Sequence, residues 1–164
     1  PAPYTSTLVL NVGGRKGPAL PQDHWLYHPR SEAGFHRVGI YSNVDASFVP
    51  KSRRTDDSHA SFYVERAYLG GERPTDEQVQ QYAHDVVAEL KSWEFLDEAE
   101  AVDPTWIDVA YTWSTPGSRW KAEAVRALQD HGVYMVGRYA RWVFQGIADS
   151  IRDGLLVGAS FRRD

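Results

Sequence analysis

The chain has 164 residues, 42% of them hydrophobic and 24% charged, which is enough to bury a self-standing core and too apolar for a disordered chain. Eighteen basic residues against 22 acidic ones leave a net charge of −4, so there is no general pull toward phosphate backbones and no nucleic-acid partner is expected. No run approaches the ~20 apolar residues of a membrane span, and the absence of cysteine removes disulfides and thiolate chemistry. The expectation is one domain over the full length, cytoplasmic and without a membrane partner.

In chain order, Thr5 to Val12 is rich in β-branched and aliphatic residues and reads as a buried strand, with Gly13-Gly14 as the turn that stops it. The run His24-Trp25-Leu26-Tyr27 reads as a short strand framed by proline-containing loops. Arg37 to Tyr41 and Ser61 to Tyr68 alternate as two more strands, joined by a loop over Asp45 to His59. Thr75-Asp-Glu-Gln78 is a capping box, and the apolar stripe Val79, Tyr82, Val86, Leu90 and Trp93 predicts a helix from about Asp76 to Phe95. Asp103-Pro104 reads as a break before a strand with Ile107, Val109, Tyr111 and Trp113 on one face.

Ser118 is placed to cap a helix through Asp130, with Gly132 just past its end. A short strand over Val133 to Val136, an irregular stretch from Gly137 to Trp142, and a last helix over about Ile147 to Ala159 complete the pattern. The fold class expected is α+β, a mixed or antiparallel sheet packed by those three helices.

Several chemical motifs are weak or missing. Gly13-Gly14-Arg15-Lys16-Gly17 lacks the spacing of either phosphate loop and reads as a glycine-rich turn. The six histidines are scattered over separate elements, so no metal site is expected. Gly158-Ala159-Ser160-Phe161-Arg162 lacks the closing glycine of a nucleophile elbow, and no Ser/His/Asp set is visible. The stretch from Gly137 to Ile151 gathers small residues, two arginines, aromatics and a carboxylate at the start of a helix, an arrangement suited to an anion or a heteroaromatic edge.

That stretch, GRYARWVFQGIADSIRDG, resembles the C-terminal flavin-contacting signature of FAD-dependent oxidoreductases of the amine oxidase, protoporphyrinogen oxidase-like and UDP-galactopyranose mutase-like group. The tracts HWLYHPRSEAGFHRVGIYSN and IDVAYTWSTPGSRWKAEAVRALQDHGVY resemble the substrate-domain strands and the closing strand and helix of the same proteins, in the same order. The resemblance implies that Gly137, Ala140 and Ser150 would approach a flavin if one were retained. It also implies a sheet whose aromatic face meets the ligand, with Trp25, Tyr27, Arg37, Tyr41, Asn43, Trp113 and Trp142 as candidate pocket residues; without a redox cofactor or metal, Arg138, Tyr139, Asp149 and Glu65 are the candidate hydrogen-bond or acid/base groups. Ala140 departs from the glycine common in the family, and the Rossmann unit with its G-x-G-x-x-G turn has no counterpart here.

FAD is therefore expected only if a dinucleotide-binding partner chain supplies the missing half; otherwise no cofactor is expected. A Pro1 start fits removal of an initiator methionine and a natural small protein, whose exposed apolar surface would be covered in a homo-oligomer. The leading expectation is a flavin-free isomerase or cyclase for an oxygenated, polyketide-like small molecule. The alternatives are an oxidoreductase subunit completed in trans and a non-catalytic ligand-binding module.

Overall fold

A computed structural model describes residues 2–55 and 57–161; Pro1, Asp56 and Arg162 of the sequence reading lie outside the described residues. Five strands, β1 (Tyr4–Lys16), β2 (Trp25–Tyr27), β3 (Arg37–Ile40), β4 (His59–Leu69) and β5 (Leu96–Thr112), form one sheet in the order β2-β3-β4-β1-β5. The pairs β2/β3, β3/β4 and β4/β1 are antiparallel. The last pair runs the same way: the Ser6 hydroxyl donates to the Asp108 carbonyl, Asn11 to the Asp103 carbonyl and the Gly17 amide to the Phe95 carbonyl, so partner numbers fall along β5 as they rise along β1. The helices are α1 (Tyr41–Val44), α2 (Asp76–Ser92), α3 (Trp120–Asp130), α4 (Gly137–Arg141) and α5 (Ile147–Ser160). The fold is α+β, an antiparallel sheet with α2, α3 and α5 as its main helices.

Two-residue alternation puts Leu8, Leu10 and Val12 of β1, Val38 and Ile40 of β3, and Phe62 and Val64 of β4 on one face, where they meet Tyr82, Val86 and Leu90 of α2. Each large apolar side chain buried there contributes roughly 1.5–3 kcal/mol. The start of α2 is fixed by a reciprocal pair: Thr75 Oγ1 accepts from the Gln78 amide and Gln78 Oε1 from the Thr75 amide. Inside the same helix, the buried Glu89 carboxylate accepts from the Ser31 hydroxyl and the Glu32 and Ala33 amides, tying the loop before β3 to α2.

The chain divides into two compact units, one of residues 4–111 and one of residues 2–3 with 112–161. Among the described residues, the buried hydrophobic ones all fall in the first unit. Of the three main helices, α2 supplies buried side chains to the core, whereas α3 and α5 bury none of their residues.

Other expectations are corrected locally. Gly13-Gly14 is no turn: β1 runs on to Lys16, because a side chain at Gly14 would overlap the Glu98 carbonyl and glycine lets β5 approach. Asp103-Pro104 does not interrupt β5, since an edge strand tolerates a residue without an amide donor. α2 ends at Ser92 rather than Phe95, and the Tyr41 expected to end β3 instead opens α1. Two 3-10 turns, Ala46–Phe48 and Lys51–Arg53, shape the segment that reads as a loop, the first capped by the Asp45 carboxylate on the Ser47 amide.

In the second unit, Arg119 and not Ser118 occupies the cap position of α3, because Ser118 is held in a turn by its amide bond to Thr115. The segment from Val133 to Val136 is no strand, as no ladder partner meets it among the described residues. The stretch after it, with two arginines and an alanine among five residues, forms α4, and Trp142 ends that helix in the left-handed region.

Candidate functional site

The face of the sheet away from α2 is where the strands place their polar and aromatic side chains. Arg37 of β3 lies opposite Tyr27 of β2 on one side and Glu65 of β4 on the other, because the two registers align all three positions. Its Nη2 donates to Glu65 Oε1 at 2.5 Å and its Nη1 to the Tyr27 hydroxyl at 3.4 Å. The guanidinium also lies over the rings of Tyr63 at 5.5 Å and Tyr27 at 5.9 Å. Burial would lower the Arg37 pKa, but the hydrogen bonds to Glu65 and Tyr27 and the Glu65 charge outweigh it, and the net shift is upward. The cation is fixed, and one of its donors, Nε, is buried without a partner.

Tyr63 reaches this cluster because Gly39 lies opposite it in the β3/β4 register, and any side chain there would overlap the phenol ring. Tyr41 follows at 4.6 Å between ring centroids, and Phe48 stacks on Tyr41 at 5.1 Å. Burial pushes the Tyr63 phenol above its ordinary range, partly opposed by Arg37, so it stays protonated at neutral pH. His36 Nε2 stands 3.8 Å from the second Glu65 oxygen. The Ser61, Thr5 and Thr7 hydroxyls are also buried without hydrogen-bond partners, and alternation puts them on this same face.

Of the residues singled out in the sequence, Tyr27, Arg37, Tyr41 and Glu65 are thus brought together, with Trp25 two residues along β2 and 53% exposed. Asn43 stands apart: its amide donates to the Pro21 and Asp23 carbonyls and holds the loop before β2. Tyr63, His36 and Phe48 were missed. The signal for Tyr63 was present as a glycine inside a strand pattern, which marks a close approach by a neighbouring side chain.

The remaining candidates lie in the second unit. Arg138 lies over the Phe144 ring at 4.7 Å and donates to the Gln145 carbonyl, and Tyr139 is 79% exposed. Gly137 has a positive φ and the Ser150 hydroxyl beside it, while Gln145 donates to that hydroxyl and to Asp153. Asp153 also holds Arg141 at 2.9 Å; hydrogen bonding from Gln145, then from Arg141, keeps its carboxyl below the usual range. Trp142 packs edge-on against Trp120 and gives its carbonyl to Lys121, and the Trp113 amide bonds the Pro3 carbonyl. Ala140 lies within α4. Asp149 sits in the first turn of α5 and accepts from the Gly146 amide.

These residues do not by themselves fit FAD. The glycine-rich run of the chain is locked into β1 against β5 and cannot wrap a pyrophosphate, and the start of α5 is already served by a carboxylate that would repel one. Among the described residues, no group of three or more His, Asp or Glu side chains could hold a metal ion. One relay-like chain does exist: Ser58 Oγ lies 2.8 Å from His59 Nδ1, whose Nε2 meets Glu100 at 3.0 Å, with Arg53 on the other Glu100 oxygen at 3.3 Å. The groove beside it measures about 40 Å³, too small for an organic substrate.

No protein-family model and no curated protein matches the chain. Solved structures do. A reduced UDP-galactopyranose mutase superposes with a TM-score of 0.68 at 23% identity over 86% of this chain. A putative protoporphyrinogen oxidase from Exiguobacterium sp. 255-15 superposes with a TM-score of 0.60 at 13% identity over 97% of it. The chain spans 29% and 35% of those two proteins. Its fold is that of a segment of such proteins, which are of the kind its C-terminal tract resembles. No helix among the described residues is long and apolar enough to cross a membrane.

Proposed function

We propose that the protein is a small-molecule enzyme, an isomerase or cyclase for an oxygenated, polyketide-like substrate, working on a flavoprotein-like scaffold without an electron acceptor. The observation that carries this reading is the Arg37 cluster: a fixed cation with an unused donor, a protonated phenol and a carboxylate on an aromatic sheet face. A substrate carbonyl beside Arg37 would be polarised, and Glu65 would take a proton from the adjoining carbon, leaving the electron pair on oxygen as an enolate. Returning that proton at another carbon isomerises the substrate; attack of the enolate carbon on a second carbonyl opens its C=O π bond and closes a ring, and the proton held by Glu65 passes to the alkoxide that forms. Neither outcome transfers electrons to or from an outside reagent. The substrate class rests on the oxygen-seeking character of the cluster.

The test is deuterium uptake from D2O by small hydroxyketones, followed by NMR. Wild-type protein should accelerate exchange, Arg37→Met should lose about 100-fold or more, and Glu65→Gln a similar factor. A wild-type protein that leaves exchange at the solvent rate removes the reading, and saturable binding without exchange would make the chain a binding module.

A second reading, an oxidoreductase subunit completed in trans by a dinucleotide-binding chain, is favoured by the apolar surface of the second unit, where Phe144 is 92% and Ile147 83% exposed. A flavin absorbance band that co-elutes with the chain only when a Rossmann-type partner is present would support it.

A further inference from the structure

On the opposite, helix-covered side of the sheet, the end of β4 and the start of α2 enclose a groove of about 600 Å³, within the size range of small-molecule sites. Alternation along β4 is the reason: Glu65 faces the Arg37 cluster, so Arg66 and Tyr68 face this groove. Arg66 lies over the rings of Tyr68 at 5.3 Å and Tyr82 at 5.5 Å, and Arg73 lies over Trp106 at 5.8 Å. Tyr68 and Trp106 pack edge to face at 5.5 Å, which joins the two sets of cation–ring contacts into one ladder that runs Tyr82, Arg66, Tyr68, Trp106, Arg73.

A guanidinium stacked by its face keeps its N–H edge for acceptors in the ring plane. Apart from the bond of Arg66 to the Ala33 carbonyl at 3.3 Å, neither side chain has a hydrogen-bond or ion-pair partner among the described residues. The groove also has a buried orphan: Tyr82 is 3% exposed, lines the cavity, and its hydroxyl has no partner. The lining also carries two carboxylates, neither of which pairs with an arginine among the described residues: Asp85 accepts from Gln81 at 2.8 Å and lies 3.6 Å from His84, and Glu72 makes no ion pair.

We propose that this groove binds a small organic anion, a carboxylate or phosphate carried on a flat ring, with Arg66 and Arg73 holding the anionic head and the aromatic ladder the ring. The site is separate from the Arg37 cluster, so each stands or falls alone.

The full chain is titrated with benzoate, phenyl phosphate, inorganic phosphate and neutral benzamide, reading calorimetric binding and the indole N–H resonance of Trp106. Saturable binding of benzoate or phenyl phosphate that shifts the Trp106 resonance is expected, and the tighter of the two names the head group. Arg73→Gln, at an exposed position that leaves the core intact, should weaken it about tenfold or more. The proposal is overturned if neither aromatic anion saturates, if benzamide binds as tightly as benzoate, if inorganic phosphate matches phenyl phosphate, or if Arg73→Gln binds like wild type.

Discussion

Gly39 shows how a single missing side chain decides the polar face. Because a methyl group there would occupy the space of the Tyr63 ring, Gly39→Ala should drive the phenol off Arg37 at a cost of about 1–3 kcal/mol, read as a lower denaturation midpoint together with a changed near-ultraviolet spectrum. Glu89 is a second such position. Its carboxylate serves one hydroxyl and two amides, so Glu89→Leu should cost about 2–3 kcal/mol by stranding buried donors, and a variant as stable as wild type would contradict that role. The phenols add a pH dependence. Burial raises the pKa of Tyr63, Tyr68 and Tyr82 above the ordinary value, so the stability they contribute is complete below pH ~10 and is lost as the pH climbs through the folded-state values. Thermal midpoints should fall on the alkaline side, and Tyr82→Phe should fall less steeply than wild type.

At the scale of elements, α2 is the most fully determined by local sequence. Its cap, its apolar stripe and its burial agree, and Thr75→Ala should destabilise the protein by about 1 kcal/mol in chemical denaturation. The strands of the first unit were legible for the same reason: a two-residue alternation has one consistent buried face. What was not legible depends on neighbours distant in sequence. Gly14 looked like a turn because the Glu98 carbonyl it accommodates is 84 residues away, and Pro104 looked like a break because edge position belongs to the sheet and not to the segment. The segment from Val133 to Val136 has strand composition but no partner. The candidate site followed the same rule: Arg37, Tyr27 and Glu65 stood out as residue types, whereas Tyr63 and the groove at Arg66 emerge only once β3, β4 and α2 are paired and packed.

At the scale of the whole molecule, burial is concentrated in one unit. Amides of β1, β4 and α2 should exchange with solvent near the global unfolding rate, while those of α3 to α5 exchange far faster, and limited proteolysis should cut first between 113 and 119 and leave a folded sheet fragment. Equal protection throughout would contradict this. The position of β5 carries a last consequence, for self-association. It is 17 residues long, forms an edge of the sheet, and would template the strand of another molecule were it flat and apolar. Asp97, Glu98, Glu100 and Asp103 crowd its first half with like charge, and Pro104 removes a donor from its middle. Acid that discharges those carboxylates, or replacement of Asp103-Pro104 by Val-Val, should turn a well-behaved solution into one that forms thioflavin-positive fibres.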